Sequence, residues 1–405
     1  MNAHERATRH HNVVIIGGGN AGLSVAGRLH RYGVKDVAVI EPMGTHLYKP
    51  LFSHIAGGRA PARMASRPQA SVIPRGTTWI QDRVRKIDPD TKTVTLKSGR
   101  LVTYGQLIVC PGIQKRWEAI PGLVSAMASG SGISNYELEY ATKAWKMLSG
   151  LRTGTVVFTQ PSGEASCAGA AQKPMYLACD YWREQGVLDN ISVVLVVPTP
   201  TMFGMPLIDA ELERKVAEYG IEVRYSRELV EVDATHKTVS IADPRGGKPE
   251  TLSYDLLHAV PPQTAPEFLA ATKLASPDSA GGFVDVDPRT LRHARYPDVW
   301  SLGDAAETTN SKSGGALRKQ TLVLAKNLAA ALDGKPLPES YDGYSVCPFT
   351  VSRHTVVFAE FDDQYTPKPT IPFWKNLAKE RRFTWIADRY VLPWVYWNLI
   401  LKGRA

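Results

Sequence analysis

Cysteine is scarce in this chain. Only Cys110, Cys167, Cys179 and Cys347 occur in 405 residues. They form no CxxC pair and no framework of close spacings, which argues against a disulfide-stapled secreted fold and turns attention to individual thiols. No apolar run approaches the ~20 residues that a membrane-crossing helix needs. Met1–His11 is short and polar, without the apolar stretch of a signal peptide, and too brief for a transit peptide, so neither is expected. Short-period repeats and low-complexity tracts are missing. So is any strong charge bias: the net charge is +9, a mild excess for this length, and its distribution matters more than its sum. No metal centre and no nucleic-acid partner are expected. With 43% hydrophobic and 21% charged residues, the composition is that of a soluble globular protein with room for two or three cored domains.

The first motif is a dinucleotide loop. Val13-Val14-Ile15-Ile16 is an apolar, β-branched run of the kind that forms a buried parallel strand. Gly17-Gly18-Gly19-Asn20-Ala21-Gly22 follows at once and fits G-x-G-x-x-G at Gly17, Gly19 and Gly22. The first glycine allows the tight turn, the second lets a pyrophosphate approach the backbone, and the third lets the helix pack on the strand. A helix over Leu23–Tyr32 would aim its N-terminal amides at the phosphates. The next strand, Asp36–Ile40, ends in Glu41-Pro42, with Glu41 nineteen positions past Gly22, where a ribose hydroxyl would be bound. Tyr104–Val109 with Cys110-Pro111-Gly112, and Val299–Leu302 with Gly303-Asp304, resemble the later FAD signatures of flavoproteins that carry two dinucleotide folds. The cofactor reading is therefore FAD, in a discontinuous domain with another inserted.

The inserted region also reads as α/β. Thr155–Thr159 and Ile191–Val197 are strands, and about Gln172 to Gln185 is a helix between them. The loop after Thr159 contains Gly163 and Gly169 but no G-x-G-x-x-G, and the second strand ends in Val197-Pro198-Thr199-Pro200 without an acid for a ribose or a nearby arginine for a 2′-phosphate. The fold is kept while the nicotinamide site is gone. In the place of the phosphate loop stands Cys167, just before a helix start and six residues from Lys173, a setting that favours thiolate. A buried structural cysteine is the alternative. Cys347, in a turn leading to a strand over Thr355–Phe361, is a candidate partner 180 positions away, and spacing alone cannot bring the two together.

The chain resembles the sulfide:quinone oxidoreductases, the mitochondrial type and its bacterial relatives most of all, nearly end to end. The resemblance is carried by Glu41-Pro42 with His46-Leu47-Tyr48-Lys49-Pro50, Ala70–Pro74, Ser134-Asn135-Tyr136, Cys167-Ala168-Gly169-Ala170 with Gln172-Lys173, Tyr254 with Pro261-Pro262, Tyr341–Tyr344 with Cys347-Pro348, Ala359–Asp362 and Tyr396-Trp397-Asn398. It implies a redox pair, Cys167 and Cys347, bridged by sulfur at rest on one face of the flavin. Hydrosulfide opens the bridge, Cys347 carries the persulfide, and Cys167 leaves as a thiolate and delivers two electrons to FAD. A second nucleophile, such as glutathione, sulfite, sulfide or coenzyme A, removes the sulfane sulfur, and a quinone takes the electrons on the opposite face. Lys173 assists the thiolate. Gly17, Gly19, Asn20, Ala21, Gly22, Glu41, Pro42, Cys110, Pro111, Gly112, Gly303 and Asp304 are assigned to the cofactor, although Cys110 is itself read as a packing residue and Cys179 as a helix residue. Arg318-Lys319-Gln320 departs from the small residues usual in the helix after Gly303-Asp304.

The last segment, from Trp374, carries seven Lys or Arg against two Asp or Glu and the aromatic run Tyr390–Leu401. That run is too short to span but suits the membrane interface, where a hydrophobic quinone would dock. Packing on the core or a dimer contact is the alternative. Phe349, Phe383 and Trp385 are the quinone candidates. The expected architecture is α/β, with an FAD domain over 1–125 and 262–338, a second Rossmann-like domain over 126–261, and a C-terminal domain over 339–405 that associates with a membrane. The expected location is peripheral, on the cytoplasmic face of a bacterial inner membrane, with a homo-oligomer left open. Two other functions compete. An NADH:quinone oxidoreductase would need the missing glycine loop and no cysteine pair. A flavoprotein subunit docking a cytochrome would ordinarily be exported.

Overall fold

A computed structural model describes residues 8–371 and 378–405. The first residues of the polar N-terminus, and the part of the basic aromatic segment from Trp374 to Leu377, lie outside the described residues. The first third of the chain builds β1 (Thr8–Ile16), α1 (Asn20–Arg31), β2 (Val37–Ile40), α2 (Leu51–Ala56), β3 (Thr77–Ile80), β4 (Val84–Asp88), β5 (Thr93–Leu96) and β6 (Leu101–Val109). The middle contributes β7 (Gly132–Ile133), α3 (Leu138–Gly150), β8 (Gly154–Thr159), α4 (Lys173–Glu184), β9 (Ile191–Val196), β10 (Glu222–Arg224) and β11 (Leu256–His258). The last third supplies β12 (Val299–Ser301), α5 (Gly314–Leu332), β13 (Ser345–Thr350), β14 (Val356–Phe361) and α6 (Leu392–Asn398).

The first sheet runs β3-β2-β1-β6-β5-β4, and β12 pairs with the far end of β6. Strands β1, β2, β3, β6 and β12 are mutually parallel, while β4 and β5 form an antiparallel extension. Parallel strands are covered on both faces, which explains the unbroken apolar run of β1. Its residues alternate between two cores. Val13 and Ile15 face the side of α1 and α5; Val14 and Ile16 face the side of Phe283 and Leu269. Each such side chain stabilises by about 1.5–3 kcal/mol when fully buried. The second sheet, β7-β11-β8-β9-β10, is parallel throughout. Strand β12 returns to the first sheet after the second is complete, so the first dinucleotide fold is discontinuous.

Each sheet places a loop at the end of one of its strands that the site uses. Gly17 follows β1 and receives its lattice of contacts from Ile40 and Cys110; Cys167 lies in the loop after β8. The chain's C-terminal end closes over α1: Arg28 donates to the carbonyl of Ala405, and a Cβ on Gly27 would lie 2.7 Å from the Gly403 nitrogen. Hairpin β13–β14 pairs Cys347 with Ala359 in antiparallel register. This corrects the turn expected around Cys347. The thiol sits within a strand and is 2% exposed. A two-stranded ribbon has free outer edges, so Pro348 can occupy it without breaking a ladder.

Candidate active site

The glycine loop has the geometry that its sequence requires. Gly17 takes φ +105°, and a Cβ there would stand 2.4 Å from the Cys110 carbonyl oxygen. A Cβ on Gly22 would stand 1.9 Å from the Gly17 oxygen, so α1 can pack this close only with glycine. Beside Gly19 there is open space, and no side chain caps the N-terminus of α1. Free amides facing an open cleft are what a pyrophosphate binds. Glu41 is fixed at the end of β2, its carboxylate accepting from the backbone of Gly18 and Met43, both at 2.8 Å.

At the other end of the cleft, Gly303 takes φ +70° and donates to Gln320 Oε1 at 3.0 Å; Gln320 in turn donates to Asn310 Oδ1. The unusual Arg318-Lys319-Gln320 run thus has a structural use, since Gln320 braces the turn that carries Asp304. Lys319 turns away to Asp342 at 3.0 Å. Lys49, which the sequence reading quoted but gave no role, stands in the same cleft. Lys49 is exposed on the cleft wall; the surrounding protein lowers its pKa, the charge of Lys115 adds to that effect, and Asp304, Glu137 and Glu41 oppose it. Open amides in the glycine loop, a braced aspartate turn and a lysine that feels the charges of both Glu41 and Asp304 fit FAD.

Cys167 and Cys347 are brought together: their sulfurs lie 3.5 Å apart. Lys173 Nζ is 3.9 Å from the Cys167 sulfur. With Cys347 as donor, this contact holds the Cys167 thiol down to about 6 and pushes Cys347 up; burial works against the first shift and adds to the second, and Lys173 favours thiolate at Cys167. Lys173 stays charged. Burial pulls its pKa down, but the two thiols and Asp388 outweigh burial and raise it. The expected helix-start effect needs correction. Cys167 precedes a short 3₁₀ turn, Ala168–Gln172, and α4 begins only at Lys173. The nearby thiol and ammonium, rather than a long helix dipole, account for the lowered pKa.

The thiol loop is held in a conformation that a non-glycine residue rarely adopts, with Cys167 at φ +53°. Four residues remote in sequence enforce it. The Lys312 carbonyl accepts from the Cys167 nitrogen at 2.6 Å, and Gln263 Oε1 accepts from Ser166 at 3.1 Å. Tyr136 donates its hydroxyl to the carbonyls of Ser166 and Cys167, and Asn135 donates to Ala170 and to Ser53. Gly169 completes the pocket: a Cβ there would lie 2.3 Å from the Phe349 ring and 2.8 Å from the Cys347 sulfur. Phe349 was grouped with the quinone candidates. It is instead fully buried against the thiols, because it lies two residues after Cys347 and shares its face of the strand.

Residues 11–327 match the family model of the pyridine nucleotide-disulphide oxidoreductases. The chain is 34% identical to the mitochondrial sulfide:quinone oxidoreductase of Mus musculus, over 98% of its own length and 88% of the relative's. It is also 34% identical to that of Dictyostelium discoideum, over 97% and 86%. The chain belongs to the sulfide:quinone oxidoreductase family. The crystal structure of the Aquifex aeolicus sulfide:quinone oxidoreductase shares its fold at a TM-score of 0.79 and 19% identity, covering 96% of this chain and 92% of that one.

Among the features that sulfide:quinone oxidoreductase chemistry would use, the remaining two cysteines have no evident part. Cys110 and Cys179 are buried, and burial pushes both thiols up, so they stay protonated. Cys110 packs under the Gly17 carbonyl with its sulfur 3.8 Å away. The two other quinone candidates lie on the C-terminal segment. Phe383 is 58% exposed; Trp385 is buried beneath the Arg59 guanidinium, 5.1 Å from its ring centre. Among the described residues no helix is long and apolar enough to cross a membrane, and no cluster of potential metal ligands occurs.

Proposed function

We propose that this protein oxidises hydrosulfide at the Cys167–Cys347 pair and passes the electrons through FAD to a quinone. The observation that carries this reading is the meeting of the two sulfurs at 3.5 Å, in the loop where a nicotinamide phosphate site would otherwise lie. A direct disulfide would need about 2.05 Å, whereas two such bonds meeting at a bent central sulfur span roughly the observed gap. The same gap is the contact distance of the two free thiols, and the proposed resting bridge carries one extra sulfur that could enter with little movement of either residue.

Hydrosulfide attacks the sulfur attached to Cys347. A new sulfur–sulfur bond forms there, the bond toward Cys167 breaks, and Cys167 leaves with the electron pair as a thiolate. The direction follows from the pKa difference, because the more acidic thiol is the better leaving group. Lys173 holds the departing charge. Bound FAD supplies a two-electron store between thiols and acceptor. Cys347 then carries the bridging sulfur and the incoming one; a nucleophile removes the outer sulfur, and the persulfide that remains closes again on Cys167 as the pair gives up two electrons. The tight walls of Phe349 and Gly169 favour a slender one, such as a small thiol, sulfite or a second sulfide.

The reading extends to membrane docking. Phe383, Ile386, Tyr390, Val391 and Trp394 are between 49% and 58% exposed, on a segment that also holds Arg381 and Arg382. An aromatic and aliphatic face flanked by arginine suits a lipid interface. The location we carry forward is peripheral, on the cytoplasmic face of a bacterial inner membrane, and cell fractionation tests it. The chemistry is tested by anaerobic titration of the FAD-loaded protein. Sulfide should bleach the oxidised-flavin absorbance, a short-chain quinone should restore it, and NADH should do neither. Bleaching by NADH without response to sulfide would overturn the reading.

A further inference from the structure

Quinone reduction consumes protons as well as electrons: a quinone, two electrons and two protons give a quinol. Acceptance at a site shielded by lipid and protein requires a group that holds a proton there. Among the described residues, four imidazoles pair with carboxylates, and three of these pairs have a solvent-exposed partner. The fourth is His54 with Asp388. Nε2 and Oδ2 are 2.8 Å apart, and the side chains are only 3% and 10% exposed.

This pair joins the two elements that matter. His54 lies on α2, next to Ser53, which is tied through Asn135 to the carbonyl of Ala170 in the thiol loop. Asp388 lies on the π-helical turn Ala387–Val391 of the C-terminal segment, whose Ile386, Tyr390 and Val391 are exposed. The carboxylate is near enough to Tyr48, Lys173, Cys167 and Arg389 for its charge to influence each of them. His54 Nδ1 is buried and has no hydrogen-bond partner. A buried polar atom of this kind costs about 1–3 kcal/mol if it stays unsatisfied. An imidazole oriented through one nitrogen by a carboxylate, with the other nitrogen free, is an arrangement suited to taking and giving a proton.

We propose that His54 and Asp388 form the proton-holding dyad of the quinone-reducing step. Nδ1 passes a proton on as the quinone takes electrons, Asp388 keeps the ring oriented through Nε2, and a proton from solvent replaces the one delivered. The inference rests on the quinone reading above. Asp388 also has a structural contact role, since the neighbouring Arg389 fastens the same turn to the Arg59 carbonyl at 2.7 Å. The test must therefore separate proton delivery from docking.

The FAD-loaded protein is reduced with one equivalent of sulfide and mixed in a stopped-flow instrument with either a short-chain quinone or ferricyanide, which takes electrons without protons. In His54→Gln and Asp388→Asn, quinone-driven reoxidation should slow at least tenfold and lose its solvent isotope effect. In His54→Gln, reoxidation by ferricyanide and bleaching by sulfide should stay within about twofold of the unmutated protein; in Asp388→Asn, whose lost charge also reaches Cys167 and Lys173, the ratio of quinone to ferricyanide reoxidation rates should fall at least tenfold, and Asp388→Glu should recover part of that ratio. Equal slowing with both oxidants, or no slowing with either, would overturn the dyad. A wild-type protein that sulfide bleaches and quinone cannot reoxidise would overturn the quinone reading itself.

Discussion

Tyr396 donates its hydroxyl to His46 Nε2 at 2.6 Å, across 350 positions of chain. The other ring nitrogen faces the Gly18 carbonyl at 3.1 Å and Gln69 Oε1 at 3.2 Å. One buried imidazole therefore ties α6 to the glycine loop. Burial holds the His46 pKa down to about 4, so the ring is neutral at physiological pH, with Nδ1 as the donor and Nε2 as the acceptor. The C-terminal segment is thereby coupled to the cofactor cleft as well as to the surface.

Tyr396→Phe should expose that coupling. The substitution removes one hydroxyl and leaves Nε2 buried without a donor, at a cost of about 1–3 kcal/mol. Thermal unfolding should move down by several degrees. Because the anchor holds the glycine loop, FAD should also dissociate more readily in an equilibrium dialysis, while sulfide still bleaches the protein that remains loaded. Unchanged unfolding and FAD affinity would show that α6 is held by its aromatic packing on Tyr48 and His46 alone.

The thiol pair yields a cleaner outcome. Cys167→Ser and Cys347→Ser each remove one end of the bridge, and neither residue touches the glycine loop. Both variants should bind FAD normally and lose sulfide-dependent bleaching by a factor of about 10³ or more, as expected when a nucleophile or leaving group is deleted from a unit that acts together. Retained bleaching in either variant would reject the pair as the redox centre.

The sequence made the first dinucleotide fold legible because its determinants are local: an apolar run, three glycines at fixed spacing and an acid closing the next strand. The missing nicotinamide loop was legible for the same reason. The pairing of Cys167 with Cys347 was available only through resemblance, since the contact is made by β13 packing on the Ala168–Gln172 turn from 180 positions away. The turn expected around Cys347 is a strand instead; a two-stranded ribbon tolerates Pro348, and a sequence does not announce how many strands will pair. Asn135, Gln263 and Lys312 left no usable signal as supports of the thiol loop. They reach the loop across 35 to 145 residues, all three contacts end on its backbone atoms, and Lys312 contributes only a carbonyl that any residue could supply. His54 and Asp388 are equally silent, being 334 positions apart.

Lys173 should govern the pH dependence of the reduced thiols. Its ammonium stabilises the Cys167 thiolate, and the Cys167 pKa, held down by the Cys347 contact and by this charge, is about 6. Alkylation of the reduced protein by iodoacetamide should therefore be fast at neutral pH and fall as the pH drops through about 6, because only the thiolate is nucleophilic. Removing the cation raises the pKa. In Lys173→Gln the same profile should move to higher pH, leaving the alkylation rate at pH 7 several-fold lower. A profile that does not move would mean that the Cys347 thiol alone sets the acidity of its partner.

At the thiol pair, Gly169 should not tolerate a single added carbon without loss of function. Its missing side chain leaves the gap that the Cys347 sulfur and the Phe349 ring fill, and a Cβ would stand 2.8 Å from one and 2.3 Å from the other. Phe349 cannot retreat easily, because its ring is itself packed edge-on against Phe203 with centroids 5.0 Å apart. Overpacking of this kind costs about 1–3 kcal/mol of stability, which a chain of this size survives. The added carbon should also displace the Cys347 sulfur from Cys167, so Gly169→Ala should fold and bind FAD while losing sulfide-dependent bleaching. Phe349→Leu in the same chain restores room on the ring side. If the loss comes from crowding, the double variant should recover part of the rate; if it does not recover, the Gly169 backbone is needed in a conformation that alanine disturbs, and the steric account fails.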